Sequence, residues 1–143
     1  MNPENLEVFG QLALAVILGI AIGLERELAH KTAGMRTFAM VSLGSCLFSI
    51  ISQGIAGADP ARIAANIVVG IGFLGAGSII FREKHVQGLT TAAGLWAVAA
   101  IGMAVGFKLY LISIFAAALI LLILTILWGF EKKIVRKIGE NEE

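Results

Sequence analysis

Val8-Phe9-Gly10-Gln11-Leu12-Ala13-Leu14-Ala15-Val16-Ile17-Leu18-Gly19-Ile20-Ala21-Ile22-Gly23-Leu24 is a run of 17 residues without a single charge. A helix needs about 17–25 such residues to cross the ~30 Å hydrocarbon layer of a bilayer. Four more runs of the same kind follow, Thr37–Ile55, Ile63–Phe81, Leu89–Val105 and Leu109–Phe130, of 19, 19, 17 and 22 residues. Together they occupy 94 of 143 residues, more uninterrupted apolar surface than a soluble domain of this size could hide. The expected fold is all-α, a polytopic bundle of five membrane helices forming one domain over residues 1–131. A short charged tail follows at 132–143.

Composition agrees. Apolar residues make up 58% and charged residues 15%, against about 45–50% and 25% in soluble domains. A formal net charge of +1 offers no basic face for nucleic acid. The segment before the first span carries Glu4 and Glu7 and no Lys or Arg, the reverse of a secretory signal, so this span is expected to stay attached. Cys46, the single cysteine, lies inside the second span and reads as a small packing residue.

Orientation follows from Lys and Arg rather than from net charge. Nine of the eleven fall on one side: Arg26, Lys31 and Arg36, then Arg82 and Lys84, then Lys132, Lys133, Arg136 and Lys137. Only Arg62 and Lys108 fall on the other. The N-terminus is therefore expected outside and the C-terminus in the cytoplasm, with the tail lysines anchoring to anionic lipid.

Asp59-Pro60 predicts the start of the third helix, as an N-cap followed by proline at the first helical position. Gly106-Phe107-Lys108 must break the chain, since Leu89 to Phe130 as one helix would run to about 60 Å. A weak repeat, Ile17-Leu18-Gly19 through Glu25-Arg26-Glu27 against Phe73-Leu74-Gly75 through Phe81-Arg82-Glu83, suggests two hairpins related by an axis along the membrane normal. Coincidence among Gly- and Leu-rich helices is the alternative.

Gly70-Ile71-Gly72-Phe73-Leu74-Gly75 matches the dinucleotide fingerprint, but it lies within a membrane span and lacks the strand that motif requires. Gly70, Gly72, Gly75 and Gly77 instead predict close helix packing. Gly19-x-x-x-Gly23 and Gly102-x-x-x-Gly106 are small-xxx-small pairs of the same meaning. Whether such contacts are internal or between subunits stays open at this point. Ser42, Ser45, Ser49 and Ser52 recur along one face of the second span, either bonded to carbonyls one turn back or forming a polar seam beside a cavity.

Ionisable residues gather at helix ends. Glu25, Arg26 and Glu27 close the first span, Arg36 and Thr37 open the second, and Asp59 and Arg62 open the third, with Asn66 one turn further in. These eight are the candidate functional residues, with Arg36 expected to pair with Glu25 or Glu27 across the hairpin. No arrangement suggests catalysis, and no metal or cofactor is expected.

Gly23-Leu24-Glu25-Arg26-Glu27, Gly34-Met35-Arg36-Thr37, Asp59-Pro60-Ala61-Arg62-Ile63-Ala64-Ala65, Gly70 to Gly77 and Gly88-Leu89-Thr90-Thr91-Ala92-Ala93, in that order, resemble the transmembrane domain of the MgtC/SapB family. The resemblance covers about residues 8–110. It implies a bacterial inner-membrane protein, not an enzyme, that supports adaptation to low magnesium, with the bilayer, a homo-oligomer and other inner-membrane proteins as partners. Some members are described as modulators of membrane proteins such as the ATP synthase; a small oligomeric transporter is the rival expectation. Longer members carry a soluble C-terminal domain, whereas about a dozen residues follow the last span here. Asn66 stands where the family pattern implies Gln.

The charge asymmetry makes a direct prediction. Reporter fusions after Glu143 should behave as cytoplasmic, and fusions within Gly57–Pro60 as periplasmic. The opposite result at either site would overturn the five-span orientation.

Overall fold

Inside a bilayer every backbone N–H and C=O must find a partner within the protein, and a helix supplies those partners from its own chain. The computed structural model, which describes residues 3–54, 59–82 and 85–130, is accordingly built from helices. They are α1 (Pro3–Leu28), α2 (Met35–Gly54), α3 (Pro60–Gly77), α4 (Leu89–Gly106) and α5 (Tyr110–Leu122), the last continued by a π-helical turn at Ile123–Leu127. Each of the five apolar segments is long enough to cross a membrane, α5 together with its extension reaching Phe130. The chain is a multi-pass membrane protein. The tail at 132–143 lies outside the described residues.

Asp59 caps α3 as its sequence predicts, its carboxylate accepting the Ala61 N–H at 3.0 Å, with Pro60 in the first turn. α3 is shorter than the apolar run implied. It stops at Gly77, and Ile80–Arg82 (β1) pairs antiparallel with His85–Gln87 (β2). Gly88 then turns the chain into α4 with φ +92°, a conformation that suits glycine. The turn between α1 and α2 holds no such strands, so the connections of the two repeat-like hairpins differ. Lys108 makes the tight turn between α4 and α5 at φ +65°.

α4 occupies the centre. Leu95, Val98, Ala99, Ile101 and Val105 are buried around it, and α1, α2, α3 and α5 all pack against it. That suits a helix apolar on every side.

The packing glycines divide into two groups. A Cβ on Gly19 would stand 2.8 Å from Ala39 Cα, and one on Gly23 would stand 2.6 Å from Met35 Cα. One on Gly106 would stand 2.6 Å from Ser49 Cβ, and one on Gly102 would strike the Ser42 carbonyl. These four glycines bring α1 and α4 against α2 from two sides. On α3 the arrangement differs from expectation. Gly75 lies in ordinary contact with Ala92, at 3.6 Å, but Gly70, Gly72 and Gly77 have no neighbour among the described residues within 4 Å of where a Cβ would be. Gly70 lines the space between α3 and α2, and Gly72 and Gly77 are exposed.

The serine face of α2 is buried at all four positions. Ser49 Oγ donates to the Ser45 carbonyl at 2.8 Å and Ser52 Oγ to the Ser49 carbonyl at 2.7 Å. Ser42 and Ser49 lie against Gly102 and Gly106, so this side of α2 is chiefly a helix contact rather than a seam along a cavity. Small side chains there are what allow the approach.

Substitution should separate the two glycine groups. Gly102→Leu, forced against backbone, should cost at least 1–3 kcal/mol and lower the melting temperature in detergent. Gly72→Leu should leave the melting temperature close to that of the parent protein. Equal loss at both sites would contradict the packing described.

Candidate functional site

The hairpin end of the bundle, where α1 gives way to α2, collects most of the candidate residues. Arg26 lies in the last turn of α1, only 3% exposed, and its guanidinium is held by the adjacent carboxylate of Glu25, which is 14% exposed. Arg26 Nε–H donates to Glu25 Oε2, and Nη2–H donates to Oε1 at 2.7 Å. A cation in this position also suits the negative end of the α1 dipole. A buried fork of this kind resists change, since removing one partner strands the other charge in a poorly solvated place.

Glu27 has a different use. Its Oε2 accepts the Met35 N–H at 3.1 Å and so caps the start of α2. Gly34 lies directly beneath that carboxylate, where a Cβ would collide with it. Arg36 does not pair with Glu25 or Glu27. Among the described residues the ion pairs are Arg26–Glu25 and Lys108–Glu7. Arg36 and Thr37 are exposed, and with Glu27 they line a cavity of about 430 Å³ at the hairpin end.

Asp59 and Arg62 stand at the opposite end of the bundle, at the start of α3, and are exposed. Asn66 lines a second cavity, about 500 Å³, between α2 and α3. Five of the eight candidate residues thus gather at the hairpin end, Asp59 and Arg62 stand at the other, and Asn66 lies between α2 and α3. Among the described residues no three His, Cys, Asp or Glu side chains come together.

A polar cluster at the far end escapes the sequence reading. Gln11, 3% exposed on α1, donates through Nε2 to the carbonyls of Val105 at 2.9 Å and Gly106 at 3.2 Å. Gln53 Nε2 on α2 donates to the Gly106 carbonyl at 2.9 Å and to the Ser49 carbonyl at 2.9 Å. The last carbonyls of a helix have no partner within it, and here two amides from neighbouring helices supply one. The signal was present in the sequence, since Gln11 is the only amide inside an otherwise apolar first run. Above it Lys108 Nζ bonds Glu7 Oε1 at 2.9 Å, and the Tyr110 hydroxyl donates to the same oxygen at 3.2 Å. Hydrogen bonding to Glu7 holds the Lys108 ammonium above the ordinary lysine range.

The architecture defines a class: a five-span helical membrane protein whose polar residues cluster at helix ends. The family model for the MgtC family matches residues 12–133, and the chain belongs to that family. It is 42% identical over 136 residues to the putative magnesium transporter YhiD of Escherichia coli strain K12, covering 89% of this chain and 63% of that protein. It is 37% identical over 145 residues to protein SapB of Bacillus subtilis strain 168, covering 94% and 61%. With protein MgtC of Brucella abortus strain 2308 the identity is 50% over 97 residues, covering 66% and 40%. The chain thus spans less than two thirds of the length of these relatives. No solved structure matches it.

Charge removal should distinguish the two arginines of the hairpin end. Glu25→Gln leaves Arg26 buried without its counter-charge and should destabilise the protein by about 3 kcal/mol, read as a lower melting temperature in detergent. Arg36→Gln should have little effect on stability. A silent Glu25→Gln would show that the buried pair contributes nothing.

Proposed function

We propose that this chain is an inner-membrane protein of magnesium-limited growth that acts by seating a helix of another membrane protein on α3, without enzymatic activity of its own. Its N-terminus lies outside and its C-terminus in the cytoplasm, in keeping with the distribution of Lys and Arg. The magnesium connection rests on the family resemblance and on the name of the Escherichia coli relative.

One observation carries the mechanism. Of the residues of α3 only Ile71 and Gly75 are buried. Its outer face presents Val69 at 73% and Phe73 at 82% exposure around Gly72. Lipid tails are as apolar as leucine, so association in a bilayer is driven by close packing and favours small residues. A glycine on a face with no neighbour allows another helix backbone to approach, with Val69 and Phe73 as flanking ridges.

Gly72→Leu tests the reading, because it fills that face without disturbing the fold. It should abolish growth of a deletion strain in low magnesium at unchanged membrane abundance. Normal growth of this variant, or rapid magnesium flux through purified protein in liposomes, would overturn the proposal in favour of a transporter.

A further inference from the structure

The two cavities are parts of one cleft. The apolar cavity between α2 and α3 and the polar cavity at the hairpin end share Met40, Val41 and Leu74 as walls. The cleft therefore runs from Arg36, Thr37 and Glu27 at its mouth to Phe48 and Ile63 at its deep end. Gly44 on α2 and Gly70 on α3 both line it and have nothing among the described residues within 4 Å of a Cβ position, which keeps the slot wide.

From Arg36 to Phe48 along α2 is twelve residues, about 18 Å at ~1.5 Å per residue. That is slightly more than half of a ~30 Å hydrocarbon layer, the reach of one leaflet's acyl chain below its head group. The chemistry changes along the same line. Among the described residues the mouth holds one guanidinium, one carboxylate and one hydroxyl, while the shaft is apolar apart from Ser45 and Asn66.

We infer that this cleft binds one phospholipid whose head group carries both a phosphate and a primary ammonium, as phosphatidylethanolamine does. Basic pockets between membrane helices are established places for lipid phosphates. Arg36 has no ion-pair partner among the described residues, and with the Thr37 hydroxyl it offers donors to the phosphate. Glu27 Oε2 holds the Met35 N–H, and the remaining lone pairs of its carboxylate accept from the ammonium. A choline head group has no N–H to donate there, and a purely anionic head group would meet Glu27 with like charge. An acyl chain lies between Gly44 and Gly70, where no side chain of the described residues fills the space. This surface is distinct from the outer face of α3 around Gly72.

The experiment uses the full-length protein in detergent, mixed with vesicles containing equal amounts of phosphatidylethanolamine, phosphatidylglycerol and phosphatidylcholine. After repurification the retained lipids are measured by mass spectrometry. The parent protein should retain the ethanolamine lipid about tenfold over the other two, the ratio that corresponds to ~1.4 kcal/mol. Arg36→Gln and Glu27→Gln should lose that preference; the Gln at 27 keeps an oxygen for the Met35 N–H, so α2 remains capped. Gly70→Leu and Gly44→Leu should lose the lipid altogether at unchanged melting temperature, and Gly72→Leu should retain it. Equal retention of all three lipids, or retention unaffected by filling the slot, would overturn the inference. So would a preference for phosphatidylglycerol that survives Glu27→Gln.

Discussion

α2 is held between two glycine pairs, and the rest of the molecule is arranged around that contact. Gly19 and Gly23 bring α1 onto the Met35–Ala39 segment, and Gly102 and Gly106 bring α4 onto Ser42, Cys46 and Ser49. In lipid there is little hydrophobic gain from joining two apolar helices, so the stabilisation comes from close contact and from polar groups shared between helices. Both occur here. The small faces meet at backbone distance, and Gln11 and Gln53 reach across to the final carbonyls of α4. α1, α2 and α4 thereby form a three-helix unit that is closed at one end by amides and at the other by the Glu27 cap on α2 and the buried Arg26–Glu25 fork on α1.

α3 and α5 are attached to that unit rather than built into it. α3 touches α4 through Ile71 and Gly75 and leaves a cleft on its α2 side. α5 buries only Ser113 and Ala117, with Leu124 beneath its π-helical extension. A helix with so little of its surface covered must meet lipid or another protein, and an uncovered glycine allows a second helix to approach closely. The functional reading follows from this division: a rigid unit fixes the fold, and a loosely covered helix beside it presents both a cleft and an outer face.

Charges at the hairpin end illustrate how one short motif divides its tasks. Glu25, Arg26 and Glu27 are consecutive, yet helical geometry turns them in different directions. Arg26 turns inward and takes Glu25 with it, while Glu27 reaches the first N–H of α2. Arg36, freed from the pairing that its proximity in sequence suggests, is left at the mouth of the cleft. The same loop thus stabilises the hairpin with three residues and leaves Arg36 and Thr37 exposed at the mouth of the cleft.

The sequence by itself determined the membrane class, the five helices and the beginning of α3, because apolar run length and the Asp59-Pro60 pair act locally. Family membership was also legible, through ordered motifs that span most of the chain. Which glycines meet a neighbour was not, since Gly19-x-x-x-Gly23 and Gly70-Ile71-Gly72 look alike until the rotation of each helix is known. Nor did the sequence distinguish the two arginines near the hairpin, because burial depends on which way a helix end points. The short β-hairpin before α4 was hidden in an apolar run that reads equally well as helix. Tertiary structure decided these points, since rotation, tilt and partner choice are set by packing between segments far apart in the chain.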